Sequence, residues 1–150
     1  MELSPDWVVG FVDGEGCFYV GINKHPEMST GYQVLPEFRI VQHVKDIQIL
    51  HALKRFFRCG VVRVNHDDRF ELRIRNLEHL KSIVAFFEKH SLKTKKNTDF
   101  KKFARIVRWM HEGKHLEKDG LIEIVELAMQ MNRAEKTNAQ SILSELQKLR

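Results

Sequence analysis

Two alternating strands followed by an amphipathic helix occur twice in this chain, and this repeat constrains the fold more than any other feature. In the strands apolar residues take every second position, so they share one face of a sheet. In the helices apolar residues recur every three or four positions. The predicted strands are Cys17–Asn23, Gln33–Val41, Val61–His66 and Arg69–Arg75, and the predicted helices run from Asp46 to a stop at Cys59–Gly60 and over Leu77–Lys89.

The predicted fold class is α+β, with an αββαββα core in which helices cover one face of an antiparallel four-stranded sheet. Phe18, Ile40 and Leu72 mark the covered face. A chain of 150 residues is long enough for one domain, and we expect a core at about 4–132 and a helical tail at 133–150. Further helices are predicted at about Asn97–Met110 and Lys118–Met131 and near Ser141–Leu149.

A short helix precedes the first strand and has almost no polar face. Ser4 is suited to cap it, Pro5 to begin it, and Gly14 to end it. A helix without a polar face must be buried on every side, so we expect one side to contact a partner. Gly10 in its interior costs about 1 kcal/mol relative to alanine, which indicates close approach of another backbone.

The second face of the predicted sheet carries long side chains that form hydrogen bonds. Arginine suits guanine and asparagine or glutamine suits adenine in the major groove of DNA, so this face is a candidate reader of bases; a solvated sheet face has the same pattern. The net charge of +5 favours a polyanionic partner without establishing one. The candidate base readers are Tyr19, Asn23, Gln33, Glu37, Arg39, Arg63, Asn65, Arg69, Glu71 and Arg73.

The segment Val8–Phe18, with the sequence VVGFVDGEGCF, resembles the defining motif of the LAGLIDADG homing endonucleases. In that motif an apolar helix ends in an acid, a small residue and a second acid, followed by glycine. The resemblance extends over residues 4–138. Other segments that are similar to the family are Phe38–Gln42, Phe57–Gly60, Ser91–Lys96, Gly113–Leu116, Asp119–Leu121 and Met131–Asn132.

The resemblance implies the homing endonuclease fold, with a saddle-shaped sheet, and cleavage of double-stranded DNA at specific sites. It implies that the carboxylate of Glu15 and the backbone carbonyl of Gly14 bind Mg²⁺, which prefers oxygen ligands. Many members have aspartate where this chain has Glu15. Mn²⁺ or Ca²⁺ is expected to substitute in the site, Ca²⁺ without cleavage, and no small-molecule cofactor is expected.

The resemblance also assigns roles to residues outside the motif. Gln42 and Lys93 match positions that surround the metal and order water in the active site. Lys95 and Lys96 are expected to contact the DNA backbone, with Lys136 as a weaker candidate. Lys45 is a candidate for a further basic residue that relatives carry after the glutamine.

One copy of the motif supplies one Glu15, whereas cleavage of both strands needs a site at each. A homodimer with two-fold symmetry solves this, because the first helices then pack across the axis. The target is therefore expected to be approximately palindromic, and by resemblance the cut leaves short 3′ overhangs. The expected interface residues are Trp7, Gly10, Phe11, Asp13 and Gly14, with Asp13 closing the end of the helix.

Two other functions compete with this interpretation. His111–His115, with the sequence HEGKH, matches a pattern of zinc proteases, but Gly113 interrupts the continuous helix which that chemistry requires. A DNA-binding repressor or an RNA intron maturase would keep the fold and lose cleavage, and the presence of Glu15, Gln42 and Lys93 argues against that loss.

The cysteines, the apolar runs and the N-terminal segment of the chain indicate its cellular location. Cys17 and Cys59 are not closely spaced, so both are expected to be reduced and packed as small apolar residues. No apolar run reaches the ~20 residues of a membrane span, and Met1–Pro5 lacks the features of a secretory signal. We expect an intracellular protein of an organelle, chloroplast or mitochondrion, or of a bacterial cytoplasm, without a membrane partner.

Overall fold

The structure is a computed structural model that describes residues 1–131 and 136–148, with the backbone alone described for 136–138. Its element order confirms the predicted αββαββα core followed by further helices. The elements are α1 (Pro5–Glu15), β1 (Gly16–Lys24), β2 (Tyr32–His43), α2 (Ile47–Phe57), β3 (Val61–His66), β4 (Arg69–Ile74), α3 (Leu77–Lys89), α4 (Lys96–His111), α5 (Lys118–Ala128) and α6 (Lys136–Lys148), with 3-10 turns at Val44–Asp46 and Lys114–Leu116.

The four strands form one sheet in the order β1-β2-β4-β3, which confirms the predicted α+β class. Strand β4 pairs antiparallel with β2, where Ile40 lies opposite Leu72, and with β3. The hairpin between β3 and β4 turns at Asp67, whose φ is 52°. The pairing of β3 shifts register between Val64 and His66, so the end of that strand departs from regular alternation.

The chain divides into two compact units. The first comprises residues 1–18 and 37–97, and the second comprises residues 19–36 and the described residues from 98 onward. Strands β1 and β2 each contribute residues to both units. The single domain expected from the sequence stays a prediction.

The first unit is built around an aromatic cluster on the covered face of the sheet. The ring centroids of Phe18 and Phe38 are 5.1 Å apart, and Phe87 of α3 lies 5.8 Å from each of them. Phe57 of α2 lies 5.9 Å from Phe38. Leu72 is fully buried in β4. The face that the alternation predicts as apolar is therefore the face that α2 and α3 cover.

The second unit contains its own buried residues, among them Phe103 of α4 and Leu121 of α5. The hydroxyl of Tyr32 donates a hydrogen bond to the carboxylate of Glu145 in α6. Burial, together with this bond and the negative charge of Glu145, raises the pKa of Tyr32 to about 12. Among the helices of the described residues, none is both long and apolar enough to cross a membrane.

Two of the helix ends predicted from glycines differ from those in the structure. Ser4 caps α1 as expected, since its side chain accepts from the Trp7 amide at 3.2 Å. The helix does not end at Gly14, however, but continues through Glu15 and passes directly into β1. Similarly, the left-handed residue that ends α2 is Arg58, with φ 60°, rather than Gly60. Glycine patterns locate these ends only to within a residue or two.

Candidate functional site

The last turn of α1 carries the acidic part of the motif. Glu15 is exposed and is the final residue of the helix. The amide of Gly16 donates to the carbonyl of Val12, which closes the helix before β1 begins. A Cβ atom at Gly16 would lie only 2.7 Å from Cγ1 of Val12. Gly16, the last glycine of the motif, is thus required for the direct passage from helix to strand that fixes the position of Glu15.

The carboxylate of Asp13 holds the loop between α3 and α4. Its oxygens accept from the amide of Lys93 at 2.8 Å, from the amide of Thr94 at 3.2 Å and from the Thr94 hydroxyl at 2.8 Å. Burial alone would raise the pKa of Asp13, but these hydrogen bonds and the charge of Lys96 outweigh it and lower the pKa below 3.8. Asp13 therefore fixes the backbone of Lys93 beside the end of α1.

We expect Asp13→Asn to lower the free energy of unfolding by about 1–2 kcal/mol at pH 7, since the amide cannot replace both acceptor oxygens. A lowered pKa stabilises the fold above the ordinary value of 3.8 and loses that effect as the pH falls through the folded value. The difference between wild type and variant should therefore shrink below about pH 4. Urea unfolding from pH 7 to pH 3 measures it. Asp46→Asn, at an exposed carboxylate without a side-chain cap bond, is the matched control and should show a smaller difference.

Lys96 begins α4 and contacts the end of α1. Its ammonium group donates to the carbonyl of Val12 at 3.0 Å, and the side chain is half-buried. A positive charge at the carboxyl end of a helix is favourable because the helix dipole is negative there. Lys96 therefore links the start of α4 to the end of α1, and its expected contact with the DNA backbone stays a prediction. Lys93 and Lys95 are exposed.

Gln42 lies near the end of β2. Because β1 and β2 are neighbours joined by a short loop, they run antiparallel, and the end of β2 lies beside the start of β1, directly after Glu15. The side-chain nitrogen of Gln42 donates to the carbonyl of Val41 at 2.8 Å, which leaves the amide oxygen as an acceptor. Lys45, in the 3-10 turn that follows, is exposed, and its amide donates to the ring of His43 at 3.0 Å.

The end of α1 provides oxygen ligands of the kind that a hard cation prefers. The carbonyl of Gly14 lies in the last turn, and the residue four positions on belongs to β1, so the helix supplies no amide for it. Together with the Glu15 carboxylate it gives two oxygens. Within the described residues no three His, Cys, Asp or Glu side chains cluster to hold a metal. The donor set fits Mg²⁺ bound by few protein ligands and completed by phosphate and water oxygens.

The second face of the sheet in the first unit carries arginines that are supported by buried acids. The side chains of Arg39 and Arg73 are 33% and 22% exposed, and Arg63, Asn65 and Arg69 are exposed. Glu37 and Glu71 are 3% and 5% exposed. Both glutamates are among the candidate base readers; their burial favours support of the neighbouring arginines, and any direct contact with a base stays a prediction.

The remaining candidate base readers belong to the second unit. Asn23 is exposed, and Tyr19 and Gln33 are half-buried. Lys136 is the first residue of α6, and its side chain lies outside the described part of the structure.

One face of α1 is not covered by its own unit. Val8, Val9 and Val12 are buried, whereas Trp7, Gly10 and Gly14 are exposed. Trp7 is 42% exposed and stacks on Phe11 with ring centroids 4.8 Å apart. The exposed positions recur every three or four residues, so they form a continuous apolar stripe of aromatic and small residues. Asp13 is half-buried beside this stripe and bonded to the α3–α4 loop.

The HEGKH segment does not form a zinc-binding helix. His111 ends α4, Gly113 has φ 77°, and a 3-10 turn begins at Lys114. His115 is half-buried, and desolvation lowers its pKa. The two histidines therefore do not share one face of a continuous helix, and the helix end expected from the sequence is confirmed. The cysteines are also as expected: both are free, Cys59 buried and Cys17 half-buried.

The structure adds two residues that the sequence analysis did not select. Thr94 binds Asp13 through both its amide and its hydroxyl, and Arg75 donates to Glu37 at 2.7 Å. Arg75 could have been selected from the sequence, because it continues the alternation of Arg73 on the polar face of the sheet, one residue past the end of β4. Nothing in the sequence distinguishes Thr94 from other loop threonines, because its partner lies 81 residues away.

Known proteins of one family resemble this chain over most of its length. The profile of the LAGLIDADG endonuclease family matches residues 8–107. Among curated proteins, a probable intron-encoded endonuclease 2 of Neurospora crassa is 35% identical over 133 residues, which cover 87% of this chain and 29% of that protein. DNA endonuclease I-CeuI of Chlamydomonas moewusii is 27% identical over 90 residues, which cover 58% of this chain and 41% of that protein. The chain thus spans less than half of the length of both curated relatives.

Solved structures match over nearly the whole chain. The crystal structure of the homing endonuclease I-TnaI is 64% identical, with a TM-score of 0.95, and the match covers 97% of this chain and 99% of that one. The structure of the LAGLIDADG homing endonuclease I-SmaMI bound to cleaved DNA is 33% identical, with a TM-score of 0.92, and the match covers 97% of this chain and 49% of that one.

Proposed function

The chain belongs to the LAGLIDADG endonuclease family, and we propose that it is a homodimeric endonuclease that cleaves both strands of DNA at a specific site. The observation that supports this most is helix α1. Its last turn carries the exposed carboxylate of Glu15, and one of its faces forms an exposed stripe that contains Gly10 and Gly14. The carboxylate supplies a metal ligand, and the stripe supplies a surface for a second copy of the chain.

We infer a dimer from the number of Glu15 carboxylates that cleavage of both DNA strands requires. Each chain contributes one Glu15, and an isologous interface between two α1 helices brings two of them together. The stripe of Trp7, Gly10, Phe11 and Gly14 is apolar, and its two exposed glycines allow a second helix to approach closely. The DNA-bound I-SmaMI chain, of which this chain covers 49%, is about twice as long, which is consistent with two copies of this fold acting on one site.

The proposed metal is Mg²⁺, bound by the Glu15 carboxylate and the Gly14 carbonyl; Mn²⁺ substitutes, and Ca²⁺ binds without supporting cleavage. A bound ion of this kind activates water and neutralises charge on the phosphate. The oxygen of the Gln42 amide orients water, since the nitrogen of that amide is held by Val41. Lys93, whose backbone Asp13 fixes, stabilises the negative charge that develops on the phosphate.

Sequence is read by the polar face of the sheet in the major groove, and phosphates are bound at its edges. Arg39, Arg63 and Arg73 are the proposed base readers of the first unit, while Lys95 is the proposed phosphate contact. A symmetric dimer reads an approximately palindromic target. We propose that the cut leaves short 3′ overhangs and that the chain is encoded within an intron, as the names of its relatives state for them.

A cleavage screen against a randomised palindromic DNA library tests this function. We expect Mg²⁺ to support cleavage of one target family with short 3′ overhangs, and EDTA or Ca²⁺ to prevent it. Binding of duplex DNA without cleavage would instead identify a repressor. Preferential binding of structured intron RNA, with no cut DNA in the library, would identify a maturase.

A further inference from the structure

Glu37 is a buried acid on the face of the sheet that we propose reads DNA. Its side chain is 4% exposed. Burying a carboxylate is costly unless it is paired and hydrogen-bonded. A negative charge beneath a surface for a polyanion is also unfavourable in itself. A carboxylate at this position therefore needs positively charged partners that offset both its burial and its repulsion of DNA.

Two arginines supply this compensation. One oxygen of Glu37 accepts from Nε of Arg75 at 2.7 Å, and the other pairs with a terminal nitrogen of Arg39 at 3.2 Å. Arg39 lies two residues after Glu37 in β2. Arg75 directly follows Ile74, which lies opposite Phe38, the residue after Glu37. Two positive charges on one carboxylate leave the group with a net charge of +1.

The cross-strand register explains why an acid is needed at this point. Arg39 lies directly opposite Arg73, and like charges at such positions repel each other. Glu37 binds Arg39 on one side of this pair. On the other side Glu71, also buried, lies 3.9 Å from Nε of Arg73 and accepts from Asn65 at 2.7 Å. The two acids thus separate and orient the basic side chains of neighbouring strands.

We propose that Glu37 is a positioning residue for sequence recognition, which acts through Arg39 and Arg75 rather than by touching DNA. This inference rests on the proposed function. The Nε atom of Arg75 donates to Glu37, and this bond does not involve the two terminal nitrogens of the guanidinium. The Arg75 side chain is 46% exposed. A guanidinium held in this way is preorganised for bidentate contact with guanine, because less rotamer freedom is lost on binding.

The test compares base preference in Glu37→Gln with wild type, using equilibrium binding in Ca²⁺ to the target found in the cleavage screen and to all its single-base variants. We expect discrimination to fall about tenfold at one or two neighbouring base pairs per half-site and to stay unchanged elsewhere. Glu37→Asp keeps the charge and the fold but is one methylene shorter, and should lose discrimination at the same base pairs. Lys95→Ala, the phosphate-contact control, should weaken all sequences alike and reduce the salt dependence.

A double-mutant cycle, in which the two arginines are replaced together as one member, distinguishes a role of Glu37 in positioning them from a role in stability. In an Arg39→Ala, Arg75→Ala background, Glu37→Gln should cause no further loss at those base pairs. A uniform loss of affinity in Glu37→Gln that parallels its unfolding free energy would overturn the proposal, as would an unchanged preference profile in both Glu37 variants. A wild-type chain that neither binds nor cleaves DNA would refute the proposed function instead.

Discussion

Replacing Glu15 by glutamine is expected to abolish cleavage while leaving DNA binding nearly intact. The amide keeps the shape of the side chain but removes the negative charge that we propose binds the metal at the end of α1. Loss of the metal removes both the activated water and the charge neutralisation at the phosphate, so we expect the rate to fall by about 10³-fold or more. Affinity should change only a few-fold, because binding depends on the sheet face and the phosphate contacts.

Single-turnover cleavage in Mg²⁺ and equilibrium binding in Ca²⁺ give the two measurements. Glu112→Gln is the matched control, since Glu112 is exposed and belongs to the HEGKH segment. It should cleave like wild type. Glu15→Asp keeps the charge and should retain measurable cleavage. Normal cleavage by Glu15→Gln would remove this residue from the chemistry and end the proposed mechanism.

Replacing Gly10 by glutamine is expected to separate the dimer without unfolding the chain. A Cβ atom at Gly10 meets nothing within 4 Å in the single chain, and the residue is exposed in the middle of α1. Glutamine is the better helix former, so the monomer should gain up to about 1 kcal/mol of stability. A second α1 helix packed closely at this glycine would be pushed away, so the dimer dissociation constant should rise by about 100-fold or more.

Sedimentation over a range of concentrations measures association, and thermal unfolding measures stability. Ala85→Gln, at an exposed position of α3, is the matched control and should leave both association and cleavage unchanged. Cleavage of both strands should disappear in Gly10→Gln together with the dimer. A wild-type chain that stays monomeric on DNA, or a Gly10→Gln chain that remains dimeric, is incompatible with packing through α1.

The fold could be predicted closely because local patterns and burial agree along most of the chain. α3 was predicted at its observed bounds, since Asn76 caps it and Leu80, Ile83, Val84 and Phe87 follow one face. The errors occur at ends. α1 extends one residue past Gly14, since the amide that closes it on the Val12 carbonyl is that of Gly16. α5 ends at Ala128, three residues before the predicted Met131.

Candidate site residues can be selected from the sequence only where a local pattern marks them. The motif indicates Glu15, whose role at the metal stays a prediction, and the alternation indicates the polar face of the sheet. Alternation cannot distinguish a side chain that contacts DNA from a buried one that supports its neighbours. Glu37 and Glu71 therefore fall in the same predicted set as the arginines with which they pair. Likewise, the run of lysines before α4 gave no sign that Lys96 donates to a carbonyl 84 residues earlier.

Because α1 passes into β1 without an intervening residue, the Glu15 carboxylate proposed to bind the metal and the first strand of the sheet share one stretch of backbone. A displacement of β1 by a wrong base pair is therefore expected to shift Glu15 as well. If Glu15 binds the metal as proposed, a poor fit to DNA would misalign this ligand at the phosphate. We expect a poorly matched DNA site to be bound and yet cut slowly, so that the cleavage step adds to the selectivity of binding.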